Sequence, residues 1–347
     1  MHTYTETIRC PVCDSKKRRV KYTFEYLDIL ELKIVACLSC AIYYVANPLR
    51  NQYLAKYYDI YYGTTGPATM DPLTIAQYTI SAEKRRKTFL TNLPSGLNLG
   101  GVWLDVGCGC GFILRSLGDL FSQSQGIECS ESSAKFARST LGVTVNHGQF
   151  NENSFSTSSL DLITFFDVLE HVISPRQFLR LASKFLKPNG WVLITTVNLR
   201  SLSRVLLGKQ WQFFTPIQHL TYFHAEALKT LLKDYDFNNF TVYSSTREDL
   251  FPVTPLLNIL KAKSISKRIQ ALEEVRLAYA LGLSSADQLM PKINESPLNT
   301  GSRFRSFLKL PYNMLAVPLE QLTALVSNIL GRTDNLWIWA QKKSSSE

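Results

Sequence analysis

Four cysteines near the N-terminus have the spacing of a metal site. They form two Cys-x-x-Cys pairs, Cys10 with Cys13 and Cys37 with Cys40, and 23 residues separate the pairs. Each pair can place two thiolates on one ion, so the two pairs complete a tetrahedral set of four thiolates for Zn²⁺. Because four thiolates leave no open position, we predict a structural zinc rather than a catalytic one. The alternatives are unliganded cysteines or a redox pair.

A glycine-rich turn follows the first strongly apolar run of the central region. Gly107, Gly109 and Gly111 alternate with cysteines, and Asp105 precedes the first glycine by two residues. Glycines at the junction of a strand and a helix allow a tight turn and a close approach of the backbone to a ligand. A dinucleotide-binding loop would carry its third glycine one residue later, where this chain has Phe112. A glycine-rich turn without a ligand is the alternative.

A second acid supports a nucleotide ligand. Glu128 ends the next predicted strand, 21 residues after Gly107. A carboxylate at this place can accept hydrogen bonds from both hydroxyls of a ribose.

Three later segments extend the pattern of this loop. They are residues 147–150 (HGQF), 166–172 (FDVLEHV) and 186–191 (LKPNGW). Together with the loop they resemble class I S-adenosylmethionine-dependent methyltransferases over residues 102–245. The resemblance implies S-adenosylmethionine as the cofactor and a cofactor-holding role for Asp105, Gly107, Gly109, Gly111, Glu128, Gln149 and Asp167.

Two histidines are candidates for catalysis in such an enzyme. A sulfonium methyl group is already electrophilic, so the protein needs to align the reactants and, for some acceptors, to supply a base. Histidine is the natural base near neutral pH. His171 follows the fourth predicted strand and His219 the fifth. Either one is alternatively structural: His171 supports the loop in many relatives, and His219 could cap the next helix.

The segment around His219 also resembles one group within this family. Residues 214–223 (FTPIQHLTYF) are similar to the Glu-His-Leu-Ser-Tyr-Phe stretch of zinc-headed sugar C-methyltransferases, in which the Glu-His pair lies at the reacting carbon. In that group the zinc head and its linker help form the substrate site. This chain has Gln218 in place of the glutamate and Pro216 in place of a tyrosine. A row of tyrosines from 57 to 62 could line the cofactor or acceptor pocket, or a domain interface.

The sequence shows alternating strand and helix signals, and the elements they predict must position these residues. Short apolar runs predict parallel strands at 102–106, 125–128, 143–147, 160–166 and 191–197, with helices at 112–120, 132–141 and 175–185 between them. Such an order is typical of an α/β, doubly wound, Rossmann-like sheet. A helix at 225–234 and strands at 240–244 and 336–341 complete the prediction.

We divide the chain accordingly into five parts. Residues 1–48 are a zinc-binding head with a zinc ribbon, 49–95 a helical, tyrosine-rich connector, and 96–249 the S-adenosylmethionine-binding core. Residues 250–333 are a helical insertion and 334–347 the final strand and tail.

The insertion shows helical periodicity at 269–281 and 315–330, and Arg303, Arg305 and Lys309 add a basic stretch. It is expected to pack on the sheet, to mediate dimerisation, or to rest on an anionic membrane.

Composition limits the partners and the location. The 347 residues carry a formal net charge of +10, which favours anionic partners such as nucleotide- or lipid-linked sugars. Seven cysteines, an odd number, and the absence of an apolar leader at the N-terminus predict a cytoplasmic protein.

We predict methyl transfer to a small-molecule acceptor, a sugar, a glycan precursor or a related metabolite, with His219 as candidate base. Two alternatives remain: an RNA or protein methyltransferase that uses the zinc head as reader, and a non-catalytic binding protein on the same fold. Against the first, the chain lacks the (Asn/Asp)-Pro-Pro-(Tyr/Phe) motif of many enzymes that methylate base or amide nitrogens.

Overall fold

A seven-stranded mixed sheet forms the centre of the molecule. The computed structural model describes residues 4–65, 70–245, 255–283 and 332–344. The sheet contains β4 (Val102–Val106), β5 (Gln123–Glu128), β6 (Val145–His147), β7 (Leu160–Phe166), β8 (Leu186–Val197), β10 (Phe237–Ser245) and β11 (Asn335–Lys342). Their spatial order is β10-β11-β8-β7-β4-β5-β6. Strands β4 to β8 are parallel, and β11 runs antiparallel to both of its neighbours.

Helices cover this sheet on its faces and along one end. They are α1 (Asn51–Thr65), α2 (Pro72–Thr91), α3 (Phe112–Leu117), α4 (Glu131–Ser139), α5 (Pro175–Phe185), α6 (Leu202–Leu207), α7 (Ala225–Lys233) and α8 (Pro255–Leu281). The local sequence determines where several of these helices begin. Ser130 caps α4 through its side chain, and Pro175 occupies the first turn of α5. The predicted doubly wound α/β fold is confirmed.

Buried side chains lie on both faces of the sheet. The strand β7 is apolar and buried along almost its whole length, as a central parallel strand must be. On one face Trp337 and Trp339 of β11 pack near Phe89 of α2 and Phe166 of β7. On the other face α5 and α7 cover the sheet.

A second sheet joins the N-terminal residues to the centre of the chain. Strands β1 (Arg18–Tyr26), β2 (Leu30–Cys37) and β3 (Tyr43–Val45) are antiparallel, and β3 pairs with β9 (Thr221–Tyr222). The backbone N–H of Val45 also donates to the carbonyl oxygen of Leu220, at 2.9 Å. The cysteine-bearing head therefore shares a sheet with the segment that carries His219.

One strand differs from the prediction in a physically informative way. The sequence predicts the fifth strand over 191–197, after residues 187–190, yet β8 already begins at Leu186. Leu186 pairs with Leu160 and Trp191 pairs with Leu162, so the four residues form a bulge opposite Asp161. The tyrosine-rich segment is the helix α1, which packs against α8.

Part of the predicted insertion lies outside the described residues. This applies to the periodicity at 315–330 and to the basic residues Arg303, Arg305 and Lys309, which therefore stay predictions. Within the described ranges no helix is both long enough and apolar enough to cross a membrane.

Candidate functional site

The glycine loop turns the chain sharply between β4 and α3. Gly107, Gly109 and Gly111 have φ angles of 68°, 54° and 82°, in the left-handed region. A Cβ atom at Gly107 would lie 2.8 Å from a methyl carbon of Val168, and one at Gly111 would lie 2.8 Å from a methyl carbon of Val143. A Cβ at Gly109 would meet no atom of the described residues within 4 Å. The loop is thus closed towards the protein at its two ends and open in the middle.

Glu128 lies beneath this loop at the end of β5. Its side chain is buried, and its two carboxylate oxygens accept hydrogen bonds from the backbone N–H groups of Gly109 and Ser130, each at 2.8 Å. A carboxylate offers about four acceptor positions, so capacity remains for further donors such as ribose hydroxyls. The residue that the sequence predicts for the ribose therefore also holds the glycine loop.

Asp105 is buried at the base of the same loop. The hydroxyl of Thr164 on β7 donates to its Oδ1 atom at 2.6 Å. Burial raises the pKa of Asp105 to about 7, although the hydrogen bond from Thr164 and the charge of Arg85 act in the opposite direction. A carboxyl group with this pKa changes charge readily when a charged ligand arrives.

Asp167 and Gln149 occupy different environments. Asp167 directly follows β7 with a positive φ of 57°, forms an ion pair with Arg85 of α2 at 2.8 Å, and accepts a hydrogen bond from Thr195 at 3.1 Å. Gln149 follows β6, and its backbone carbonyl oxygen accepts from Asn151 and Ser154. The cofactor roles of both residues stay predictions.

The tyrosines of α1 extend from this loop to the two candidate histidines. Burial, and then the charge of Glu128, raises the pKa of Tyr62 well above its usual value. The rings of Tyr62 and Tyr58 stack with centroids 6.2 Å apart. The hydroxyl of Tyr58 lies 3.1 Å from Nδ1 of His171. The helix α1 therefore lies along the carboxyl end of the parallel strands, where ligands bind in such sheets.

His171 and His219 lie side by side, with ring centroids 4.8 Å apart. Nδ1 of His219 is 2.8 Å from the carbonyl oxygen of Phe213, and Nδ1 of His171 is 3.0 Å from that of Gln218. A carbonyl oxygen can only accept, so in each neutral ring Nδ1 carries the proton and Nε2 carries the lone pair. Both rings are therefore oriented to act as bases through Nε2.

Glu170 completes this cluster, and sequence reasoning gave it no role. Its side chain is fully buried, and its carbonyl oxygen accepts from the N–H groups of Leu220 and Thr221. Glu170, His171 and His219 each offer one atom that could ligate a metal, and these three atoms lie within 4.8 Å of one another. The sequence feature that could have indicated Glu170 is a carboxylate directly before a histidine at the end of a strand. Two imidazoles and one carboxylate can share a proton, and they are also a donor set for a divalent cation.

The four head cysteines converge on one point. The Sγ atoms of Cys10 and Cys40, and those of Cys13 and Cys37, are 3.5 Å apart, and all four lie within 4.8 Å of one another. A tetrahedral zinc with bonds of about 2.3 Å needs sulfurs about 3.8 Å apart, so the arrangement fits. A hydrogen bond from Cys40 lowers the pKa of Cys10 to about 5, as expected where thiols are crowded.

Two side chains that the sequence analysis did not select tie these cysteines to the core. Nε of Arg176 on α5 donates to the carbonyl oxygen of Val12 at 2.9 Å. His224 caps α7 by accepting from the N–H of Ala227 with Nδ1, and its Nε2 donates to the carbonyl oxygen of Cys40 at 3.0 Å. Each Cys-x-x-Cys turn is therefore fastened to a different helix of the core.

Known proteins resemble the central part of the chain. Residues 78–242 match a protein-family model described as a methyltransferase domain. A ubiquinone biosynthesis O-methyltransferase of Burkholderia vietnamiensis is 31% identical over 116 residues, which are 31% of this chain and 50% of the relative. One from Idiomarina loihiensis is 31% identical over 131 residues, which are 35% of this chain and 52% of the relative. The chain thus spans about half the length of these relatives.

Solved structures show a distant likeness. Phosphoethanolamine N-methyltransferase 2 of Haemonchus contortus, in complex with S-adenosyl-L-methionine, aligns with a TM-score of 0.48 and 16% identity, covering 93% of this chain and 71% of that one. The similarity to a methyltransferase domain rests on the match to the family model and not on this likeness. Residues 78–242, just under half of the chain, match that domain.

Proposed function

We propose that this protein transfers a methyl group from S-adenosylmethionine to a small-molecule acceptor. The observation that carries the proposal is the joint position of Glu128 and the open middle of the glycine loop at Gly109, within a domain that matches a methyltransferase family model. The matched relatives are named for O-methylation in ubiquinone biosynthesis, which supports a small-molecule acceptor.

The cofactor would be held by groups that fit it. The buried carboxylate of Glu128 has acceptor capacity for ribose hydroxyls, and the backbone at Gly109 can approach the ligand closely because no side chain of the described ranges lies over it. Asp105, with Gly107 and Gly111, would complete the floor of the site. When bound, S-adenosylmethionine supplies an electrophilic methyl group on a sulfonium.

His219 would act as the general base for the acceptor. As the acceptor atom forms its bond to the methyl carbon and the carbon–sulfur bond breaks, the acceptor's proton moves to Nε2 of His219, and S-adenosylhomocysteine leaves. The contact of Nδ1 with the carbonyl oxygen of Phe213 fixes the ring so that Nε2 carries the lone pair. His171 and Glu170, at the side of His219, would stabilise the resulting imidazolium.

A sugar, a glycan precursor or a related metabolite is the acceptor we propose. Two features support it: the similarity of residues 214–223 to zinc-headed sugar C-methyltransferases, and the sheet that joins the head to this segment through β3 and β9. In this proposal the four-cysteine cluster holds a structural Zn²⁺ that keeps the head, and through β9 the His219 segment, in place.

A second candidate mechanism uses the same three side chains. Glu170, His171 and His219 could hold a divalent cation that lowers the pKa of an acceptor hydroxyl, instead of removing the proton directly. Turnover with and without added Mg²⁺ or Mn²⁺, on protein dialysed without a chelator so that the four-cysteine cluster keeps its metal, separates the two: a direct base needs no added cation.

The proposed function is tested by measuring release of S-adenosylhomocysteine. The acceptors offered are pools of sugars, nucleotide sugars and phenolic metabolites. We expect His219→Asn to bind S-adenosylmethionine with unchanged affinity and to lose about 100-fold or more in turnover, because general-base catalysis contributes roughly 10²- to 10⁴-fold. Glu226→Gln, in the exposed first turn of α7, is the control and should leave turnover unchanged. Binding of the cofactor without turnover on any pool would favour the non-catalytic alternative.

A further inference from the structure

The helix α8 brings two ionisable side chains into the interior beside α1. Glu273 and Arg276 are only 2% and 8% exposed, respectively. They lie one helical turn apart and therefore share a face of α8, the face that packs against α1. Neither residue belongs to the glycine loop or to the histidine cluster.

Arg276 is connected to the histidine cluster by a row of aromatic rings. Its guanidinium carbon lies 4.6 Å from the centroid of the Tyr61 ring. The Tyr61 ring is 6.5 Å from that of Tyr58, whose hydroxyl lies 3.1 Å from Nδ1 of His171. The same face of α1 that leads from the cofactor loop to the histidines thus continues to Arg276.

Glu273 leaves hydrogen-bonding capacity unused. Its Oε2 atom accepts from the hydroxyl of Tyr26 at 2.9 Å. Its Oε1 atom and the hydroxyl of Tyr222 are both buried, and among the described residues neither has a partner within 3.5 Å in good hydrogen-bond geometry. The side chain of Gln218 near Glu273 and the backbone of Thr215 near Tyr222 make at most weak contacts with them. Unmade hydrogen bonds of buried polar atoms are rare in proteins, and they point to a polar group that belongs at this place.

The charges of Glu273 and Arg276 do not cancel. Burial raises the pKa of Glu273 to about 8, against the hydrogen bond from Tyr26 and the charge of Arg276. Near neutral pH Glu273 is therefore mostly a neutral acid that can donate a hydrogen bond, beside the guanidinium of Arg276. Glu274, the next residue, is only half-buried. A buried cation without a fully charged partner is costly, and an anionic ligand would offset that cost.

We propose that Arg276, together with Glu273, binds the carboxylate or phosphate group of the methyl acceptor, which is therefore an anionic small molecule. This inference rests on the proposed function. The anionic group lies at the α8 end of the tyrosine row, and the atom that receives the methyl group lies at the end beside His171 and His219. The planar guanidinium offers two parallel donors to such a group.

Calorimetric titration of the full chain, saturated with S-adenosylhomocysteine, tests this site. The probes are inorganic phosphate and acetate, followed by glucose 6-phosphate against glucose and lactate against lactamide. We expect each charged compound to bind better than its neutral partner. We expect Arg276→Gln to weaken binding of the preferred anion about ten- to a hundred-fold, because a charge-assisted contact is lost.

Arg204→Gln is the matched control, since Arg204 also lies over a tyrosine ring, that of Tyr43, at 5.8 Å. It should leave anion binding unchanged. If Arg276→Gln does not fold, Arg276→Lys carries the test: it keeps the charge but loses the two-donor fork, and the Kd for the preferred anion should rise several-fold. Equal binding of charged and neutral compounds, or an unchanged Kd in the Arg276 variants, overturns the inference. Failure to bind S-adenosylhomocysteine at all would instead overturn the proposed function.

Discussion

Glu128 holds the glycine loop and is also the side chain proposed to bind the ribose of the cofactor. It already accepts the N–H of Gly109, so the loss of its charge should affect both the loop and the ligand. We expect Glu128→Gln to raise the Kd for S-adenosylmethionine roughly ten- to a hundred-fold, because a hydrogen bond to a charged group contributes about 1.5–3 kcal/mol. Isothermal calorimetry measures this directly.

Glu131→Gln is the matched control for charge, because Glu131 lies nearby in the exposed first turn of α4. It should bind the cofactor as the unmodified protein does. If Glu128→Gln and Glu131→Gln behave alike, Glu128 does not contact the ribose.

Asp105 should lose a proton when the cofactor binds. With its pKa raised to about 7 by burial, this carboxyl is roughly half protonated at pH 7. S-adenosylmethionine carries a net positive charge, which favours the ionised carboxylate and lowers its pKa. We expect release of up to about half a proton per cofactor at pH 7, seen as a difference in binding enthalpy between phosphate and Tris buffers. A binding enthalpy that is the same in both buffers, or a difference that persists in Asp105→Asn, would contradict this.

At the scale of elements, the sequence was most informative where structure is local. The predicted bounds of β4, β7 and α5 agree with the structure because buried parallel strands form continuous apolar runs and because a proline marks the first turn of α5. The same local signals located the glycine loop and Glu128. Strands β3 and β9 have only three and two residues, so no periodicity could reveal them.

The cluster of Glu170, His171 and His219 was less predictable for a related reason. Glu170 and His219 are brought together by backbone hydrogen bonds between residues about 50 positions apart, which leave no local pattern. The approach of α8 to α1 is equally non-local, so Glu273 and Arg276 could not be assigned to a site from the sequence. The roles predicted for individual site residues remain to be tested by the variants described above.

The docking of α8 should make stability depend on pH through Glu273. The folded-state pKa is raised from 4.5 to about 8, so folding favours the protonated form. This contribution is fully present below about pH 4.5 and is lost as the pH rises through about 8. We expect the free energy of unfolding to fall by up to a few kcal/mol more in the unmodified protein than in Glu273→Gln between pH 6 and 9.

Urea denaturation of both proteins at the two pH values gives this difference. Other groups with raised pKa values, such as Asp105, are common to both proteins and cancel. Glu274→Gln, at the half-buried neighbouring position, should retain the pH dependence of the unmodified protein. A parallel decline in Glu273→Gln would show that Glu273 ionises normally in the folded state.

At the scale of the whole molecule, the head and the methyltransferase domain form one connected structure. The sheet β1-β2-β3-β9 crosses from one to the other, and Arg176 and His224 hold the two cysteine turns from the core side. Residues of the head, including Cys10, Val12 and Tyr44, belong to the same apolar cluster as residues of α5 and α7. A metal bound in the head would therefore stabilise parts of the methyltransferase domain as well as the head.

Removal of the metal should consequently loosen the segment that carries His219. We expect about one zinc per chain by elemental analysis, and we expect chelation to unfold the two cysteine turns, because binding of a structural zinc is coupled to folding. Among the described elements, β3 is the only strand that pairs with β9, so β9 loses its partner when β3 loses its order. Amide exchange at residues 219–223 should therefore become faster by at least about ten-fold. Hydrogen exchange with mass spectrometry would measure this, with β6 at the far edge of the large sheet as the internal reference.

Two variants distinguish this coupling from a general effect of the chelator. Cys37→Ser should reproduce the faster exchange without chelator, because three thiolates hold zinc less firmly than four. Cys129→Ser, an exposed cysteine outside the cluster, should exchange like the unmodified protein. If chelation speeds exchange only within residues 8–42, the head folds independently of the His219 segment, and a role of the zinc in positioning the candidate base is wrong.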